Sequence, residues 1–166
     1  MHRIPIELLT KAAFSPFGEV IETDFVDAIV INEGFALRVN NLAQIDVAAD
    51  AGAVDISLFV AKARQRPIKV RIMERHPLGS QMFLPLQERS WLILVCVDPL
   101  IPASYRAFEA SGRQGVNYAR NTWHHPLLVL YDDERFLVVD RKGPGNNLEE
   151  VRVDDPIELA GLDFGL

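Results

Sequence analysis

The chain has 166 residues, 49% apolar and 24% charged, with a formal charge of -6, proportions that exclude a disordered or fibrous chain and fit one domain over residues 1–166. That acidic balance, with no basic cluster beyond the scattered Lys62, Arg64, Arg66, Lys69 and Arg71, argues against nucleic acid as a partner. No run approaches the roughly eighteen apolar residues that cross a bilayer, the start lacks an apolar signal region, and a lone Cys96 forbids an internal disulfide; a cytoplasmic protein with no membrane partner is expected.

In chain order, the first ten residues are one of few stretches that sustain a helical period, and Thr10 is placed to cap a short helix through Phe14 that Ser15-Pro16-Phe17-Gly18 ends. Strands dominate from there: Glu19–Glu22, Ala28–Ile31, Phe35–Val39, Asp55–Ala61, Ile68–Arg75, Gln81–Leu84, Trp91–Val97, Tyr105–Phe108, Leu127–Tyr131, Phe136–Val139 and Val151–Val153. Ile56, Leu58 and Val60 alternate with more polar neighbours, as Val70 and Ile72 do with Lys69 and Arg71, the pattern of half-buried antiparallel strands. Gly112–Tyr118 is the other stretch with a helical period. Many short strands at this spacing predict a mainly β sandwich or antiparallel β-barrel with a short N-terminal helix. Cys96, inside the apolar run Trp91–Val97, is a core residue rather than a nucleophile.

Two polar segments hold three of the four histidines, Met73-Glu74-Arg75-His76-Pro77-Leu78-Gly79-Ser80-Gln81 and Gly115-Val116-Asn117-Tyr118-Ala119-Arg120-Asn121-Thr122-Trp123-His124-His125-Pro126. If the chain closes into a barrel, these segments are expected to meet at its mouth. Glu74 and His76 share a face of an extended strand while Arg75 points away, a spacing that suits a metal or an acid–base pair, with Gln81, His124 or His125 as further donors. Adjacent histidines on a strand face opposite ways, and His124, which shares a face with Thr122, is the one expected in the site. Arg75, Arg120 and Ser80 are candidate carboxylate anchors, Asn117 and Tyr118 a candidate amide and phenol at the wall. The loop Arg141-Lys142-Gly143-Pro144-Gly145-Asn146-Asn147 is expected either to reach over the site or to be a plain surface turn. A glycine-flanked serine elbow, a phosphate loop and a dinucleotide fingerprint are absent from the sequence.

Four stretches, in order, carry a resemblance: Phe14-Ser15-Pro16-Phe17-Gly18-Glu19-Val20-Ile21; Met73 through Gln81 and on to Met82-Phe83-Leu84-Pro85-Leu86; Gly115-Val116-Asn117-Tyr118 with Thr122-Trp123-His124-His125-Pro126-Leu127; and Phe136-Leu137-Val138-Val139-Asp140-Arg141. They resemble the ureidoglycolate lyase family, formerly called ureidoglycolate hydrolases, over nearly the whole chain. Arg120-Asn121 stands where a glycine commonly precedes the threonine, and Lys62-Ala63-Arg64 replaces a more proline-rich stretch. The resemblance implies a cupin-like barrel, a homodimer, a divalent metal (nickel in some members) with no organic cofactor, and cleavage of (S)-ureidoglycolate to glyoxylate and urea in allantoin degradation. In that scheme His124 or Glu74 takes the hydroxyl proton, or a metal on Glu74, His76, Gln81 and His124 activates the hydroxyl. Tyr118 or His76 protonates the leaving nitrogen, Arg75 or Arg120 with Ser80 holds the carboxylate, and Asn117 and Gln81 bind the rest of the small substrate. The alternatives are another cupin-type small-acid enzyme and a non-enzymatic small-acid sensor.

Overall fold

The computed structural model describes residues 2–23, 25 and 27–161. Six strands form a closed barrel in the order β11 (Trp123–His124), β6 (Lys69–Arg75), β14 (Glu149–Ala160), β1 (His2–Leu8), β9 (Tyr105–Ala110) and β8 (Trp91–Cys96), the ring closing because β11 pairs with both β6 and β8. A short β12 (Leu128–Val129) also lies on β8. A second, five-stranded sheet runs β2 (Gly18–Ile21), β10 (Gly115–Tyr118), β7 (Gln81–Pro85), β13 (Glu134–Lys142) and β5 (Ala53–Ala61). A small hairpin, β3 (Ile29–Ile31) with β4 (Ala36–Arg38), stands apart.

The chain is mainly β, as its alternation predicts, but the start is not helical: His2–Leu8 is a strand, and it pairs parallel to both β14 and β9. The barrel is therefore mixed rather than antiparallel. Ile4 and Ile6, two apart, both pack on the lumen core, so the period of these residues is that of a strand and not of a helix. The stretch at Gly112–Tyr118 is likewise extended from Gly115 onward. A single α-helical turn comes directly after β1, α1 (Lys11–Phe14), where the Thr10 hydroxyl accepts from the Ala13 amide at 3.1 Å. Near the C-terminus the expected three-residue strand at Val151–Val153 extends to the twelve residues of β14.

Strand β8 explains how the two sheets share a wall. All six of its residues are buried. Leu92, Leu94 and Cys96 pack with Val70, Met73, Ala107 and Ile157 inside the barrel, whereas Trp91, Ile93 and Val95 face the other way and pack with Phe83, Val116, Phe136 and Val138 of the second sheet. A strand buried on both faces reads as a continuous apolar run. Two cores result, one in the lumen and one between the barrel wall and the five-stranded sheet.

The outer face of that sheet is covered at one end by the segment 44–51. The Ser80 amide donates to Asp46 O at 2.7 Å and its hydroxyl accepts from the Asp46 amide at 2.9 Å. Asn117 Nδ2 donates to Gln44 O and Glu19 Oε2, both at 2.9 Å, and the buried Arg141 guanidinium donates to Ala49 O and Asp50 O. Gly79 allows this approach, since a Cβ there would stand 3.2 Å from Asp46 O and 2.8 Å from the Arg141 Cβ.

Candidate active site

Antiparallel register puts directly opposite residues on one face. His124 lies opposite Glu74 on one side and Val95 on the other, and Val95 faces the second sheet. From the second sheet, Tyr118 lies opposite Gln81 on its inner face. The two polar segments do meet, in the seam between the barrel's outer wall and the five-stranded sheet, while Trp123, with Arg75 stacked on it, packs toward the lumen core.

Glu74, His76 and His124 offer ligand atoms that all lie within 4.8 Å of one another. A Glu74 oxygen is 3.5 Å from His124 Nε2, Gln81 Oε1 is 3.2 Å from the same nitrogen, and the His76 and His124 rings are 5.3 Å apart. Carbonyl oxygens only accept, which fixes both tautomers. His124 Nδ1–H donates to Thr122 O at 2.9 Å, and His76 Nδ1–H donates to Asn147 O at 2.7 Å. His124 Nε2 thus turns toward Glu74, and His76 Nε2 is left without a carbonyl to meet. His76 Nε2 is buried without a hydrogen-bond partner, and His124 Nε2 confronts two oxygens. A cation among the four side chains would make that arrangement favourable. Two imidazoles, a carboxylate and an amide oxygen are a chemically suitable set for a divalent transition metal.

Burial alone would raise the Glu74 carboxyl, but the hydrogen bond from His124 and the charges of His124, His76 and His125 outweigh it and hold the group below its ordinary value. Tyr118 stacks on His124 with ring centres 4.2 Å apart and planes 9° from parallel. Burial, with the nearby Glu74 charge, pushes its phenol well above the ordinary range, so it keeps its proton. His125 turns the other way: its Nδ1 lies 2.6 Å from Pro126 O, and burial lowers it to about 4.

The family model for ureidoglycolate lyase matches residues 1–160. The chain belongs to the ureidoglycolate lyase family. It is 50% identical over 155 residues to ureidoglycolate lyase 1 of Rhizobium meliloti strain 1021, covering 93% of this chain and 91% of that one. It is 48% identical over 152 residues to the ureidoglycolate lyase of Stutzerimonas stutzeri strain A1501, covering 90% and 89%, and 48% identical over 164 residues to that of Pseudomonas fluorescens strain Pf0-1, covering 96% and 98%.

Within this ureidoglycolate lyase chain the remaining candidates lie outside the cluster. Arg75 donates to Glu149 at 2.7 Å and stacks over Trp123, its centre 4.6 Å from the ring. Ser80 and Asn117 alternate with Gln81 and Tyr118 and so occupy the opposite, outer face of their sheet, under the 44–51 segment. Arg120 forms a two-pronged ion pair with Asp46, at 2.7 and 3.1 Å. These three line a separate cleft of about 620 Å³. A roomier cleft of about 680 Å³, lined by Lys11, Glu19, Glu22, Asp27 and Asn40 among others, has no imidazole in its wall. The loop after β13 does reach the cluster: besides the carbonyl on His76, Asn147 Oδ1 accepts from the Leu78 amide at 2.8 Å.

One residue of the site, Asp140, is not among the sequence-based candidates. Its Oδ2 accepts from Gln81 Nε2 at 3.3 Å. It sits 59 residues from Gln81, and only the pairing of β13 with β7 brings them together; no local spacing signals it. Burial raises its carboxyl above the ordinary value, against the pull of the Gln81 hydrogen bond and the His76 charge.

Proposed function

We propose that the chain cleaves (S)-ureidoglycolate to glyoxylate and urea in allantoin degradation, and that the Glu74–His76–Gln81–His124 cluster with Tyr118 performs it. The observation that carries this reading is the gathering of Glu74, His76 and His124 ligand atoms within 4.8 Å, with His124 Nε2 facing only oxygens and His76 Nε2 buried without a partner. The substrate is a carbinolamide. The reaction removes the hydroxyl proton, forms the aldehyde C=O as the C–N bond breaks, leaves the bonding pair on the urea nitrogen and adds a proton there; no water is consumed.

His124 is the base. Its Nδ1–H is anchored on Thr122 O and the ionised Glu74 beside Nε2 stabilises the imidazolium it becomes. Tyr118, whose phenol burial keeps protonated, or His76, when its ring carries a second proton at Nε2, returns a proton to the nitrogen, and the proton that His124 took from the hydroxyl then restores the donor. A divalent ion, nickel among those that suit two imidazoles and oxygen donors, fits between Glu74, His76, Gln81 and His124. When bound it supplies Lewis-acid polarisation of the substrate hydroxyl. Arg75, Arg120, Ser80 and Asn117 are committed to other partners in this chain and serve the site from outside.

We assign the chain a cupin-like single domain, a cytoplasmic location and a homodimeric state. No helix among the described residues is long and apolar enough to cross a membrane. For the dimer, the support is the outer face of the five-stranded sheet: Ile56, Leu58 and Val60 on the edge strand β5 are 68, 54 and 56% exposed beside Leu137 and Val139.

The test is a coupled assay that follows glyoxylate and urea together against a no-enzyme blank, before and after chelation. Equal release of both well above the blank is expected, with loss of at least about 10²-fold in His124→Ala. Release at the blank rate in untreated and metal-supplemented protein alike overturns the lyase reading; full activity after exhaustive chelation removes the metal from it.

A further inference from the structure

The Gln81 amide is the one member of the cluster with two different ends. Its oxygen accepts, its nitrogen donates, and the two are nearly equal in size, so the protein must supply a reason for one to face His124. If the nitrogen faced His124, it would donate to the neutral Nε2 and cap the lone pair that the reaction and any cation require. Asp140 lies on the far side of that amide, on the inner face of β13, with Oδ2 3.3 Å from Gln81 Nε2. Gln81 itself is 6% exposed, so bulk water does not set its orientation.

We propose that Asp140 is a positioning residue that orients Gln81: its carboxyl oxygen, 3.3 Å from the amide nitrogen, holds that nitrogen and so turns Oε1 toward His124. An asparagine at the same place accepts at one end and donates at the other and dictates nothing. The inference rests on the cluster being the active site, and it extends that site by one residue that acts through Gln81.

The decisive experiment reverses the bond. Asp140→Asn alone frees the amide to turn, and Gln81→Glu alone sets a second carboxylate against Asp140; each is expected to lower kcat for ureidoglycolate by about 10- to 100-fold with little change in KM. The double variant Q81E/D140N exchanges donor and acceptor. Its amide at position 140 donates to the carboxylate at position 81, whose free oxygen then faces His124, and turnover is expected to recover to within about threefold of the wild type. Thermal melts of all four proteins identify any that fail to fold, and Ni²⁺ titration of the metal-free proteins is expected to give the same order of affinities. A double variant no better than the worse single one, or a D140N enzyme with wild-type kcat, overturns the proposal. Should the wild type show no turnover, the lyase reading fails, and nuclear Overhauser contacts decide on Asp140 alone. The Gln81 amide protons are expected to contact the side chain at position 140 in wild type and the His124 ring in D140N; an unchanged pattern overturns the role.

Discussion

His124 and His125 are neighbours in sequence and opposites in environment. His124 keeps a nitrogen for chemistry, while His125 spends its Nδ1–H on Pro126 O and is 3% exposed. The depressed His125 value has a definite sign in stability. The folded ring takes up its proton only near pH 4, the unfolded ring at its ordinary value of 6.5. Between those limits the unfolded state binds more protons, so stability is complete above pH 6.5 and is lost as the pH falls toward 4, by roughly 3 kcal/mol at 1.36 kcal/mol per unit. Urea unfolding of wild type and His125→Asn across that window is expected to show the slope in the first and a flatter line in the second. A parallel pair of lines would show that His125 is protonated as easily in the folded chain as outside it.

At the scale of elements, the inner and outer faces of β7, β10 and β13 divide the work. Gln81, Tyr118 and Asp140 point to the seam; Ser80, Asn117 and Arg141, one residue away on each strand, grip the 44–51 segment. Ser80→Ala leaves the Asp46 amide without its acceptor and is expected to cost about 1–3 kcal/mol in chemical denaturation. Arg120→Ala, which breaks an ion pair with both side chains over a third exposed, should cost no more than about 1 kcal/mol. This division also sets what can be read from the sequence. Two-residue alternation separates Glu74 and His76 from Arg75, and His124 from His125. It does not say which layer lies on each face, because β8 is apolar on both; the seam is therefore illegible in the sequence, and a barrel mouth is the natural expectation. Nor does alternation show Asp140, whose partner is set by strand order, or the 44–51 segment, which has no period. The alternation of Ile4, Ile6 and Leu8 with Arg3, Pro5 and Glu7 makes β1 legible as a strand, but its place does not follow from it, because that depends on both β9 and β14.

At the scale of the molecule, the edge and outer face of β5 form an exposed apolar surface among the described residues. A charge at Leu58 should break a dimer that uses them. Leu58→Glu is expected to run as a monomer in analytical ultracentrifugation while the wild type sediments as a dimer, with the far-ultraviolet spectrum unchanged. A wild-type monomer at micromolar concentration would end the dimer assignment; a dimeric Leu58→Glu would place the contact on another surface.

The barrel is stitched shut by strands from opposite ends of the chain. β1 lies between β9 and β14, and β14 in turn flanks β6, which carries Glu74. On the ribosome the first strand is made early and then has no neighbour on either side until about a hundred residues later, when β9 emerges, and no second one until β14 is released. Nascent chains short of residue 149 leave one edge of the Glu74 strand bare. These edges therefore stay open to aggregation and proteolysis until β14 pairs, and a slow codon anywhere between β1 and β14 would prolong that exposure.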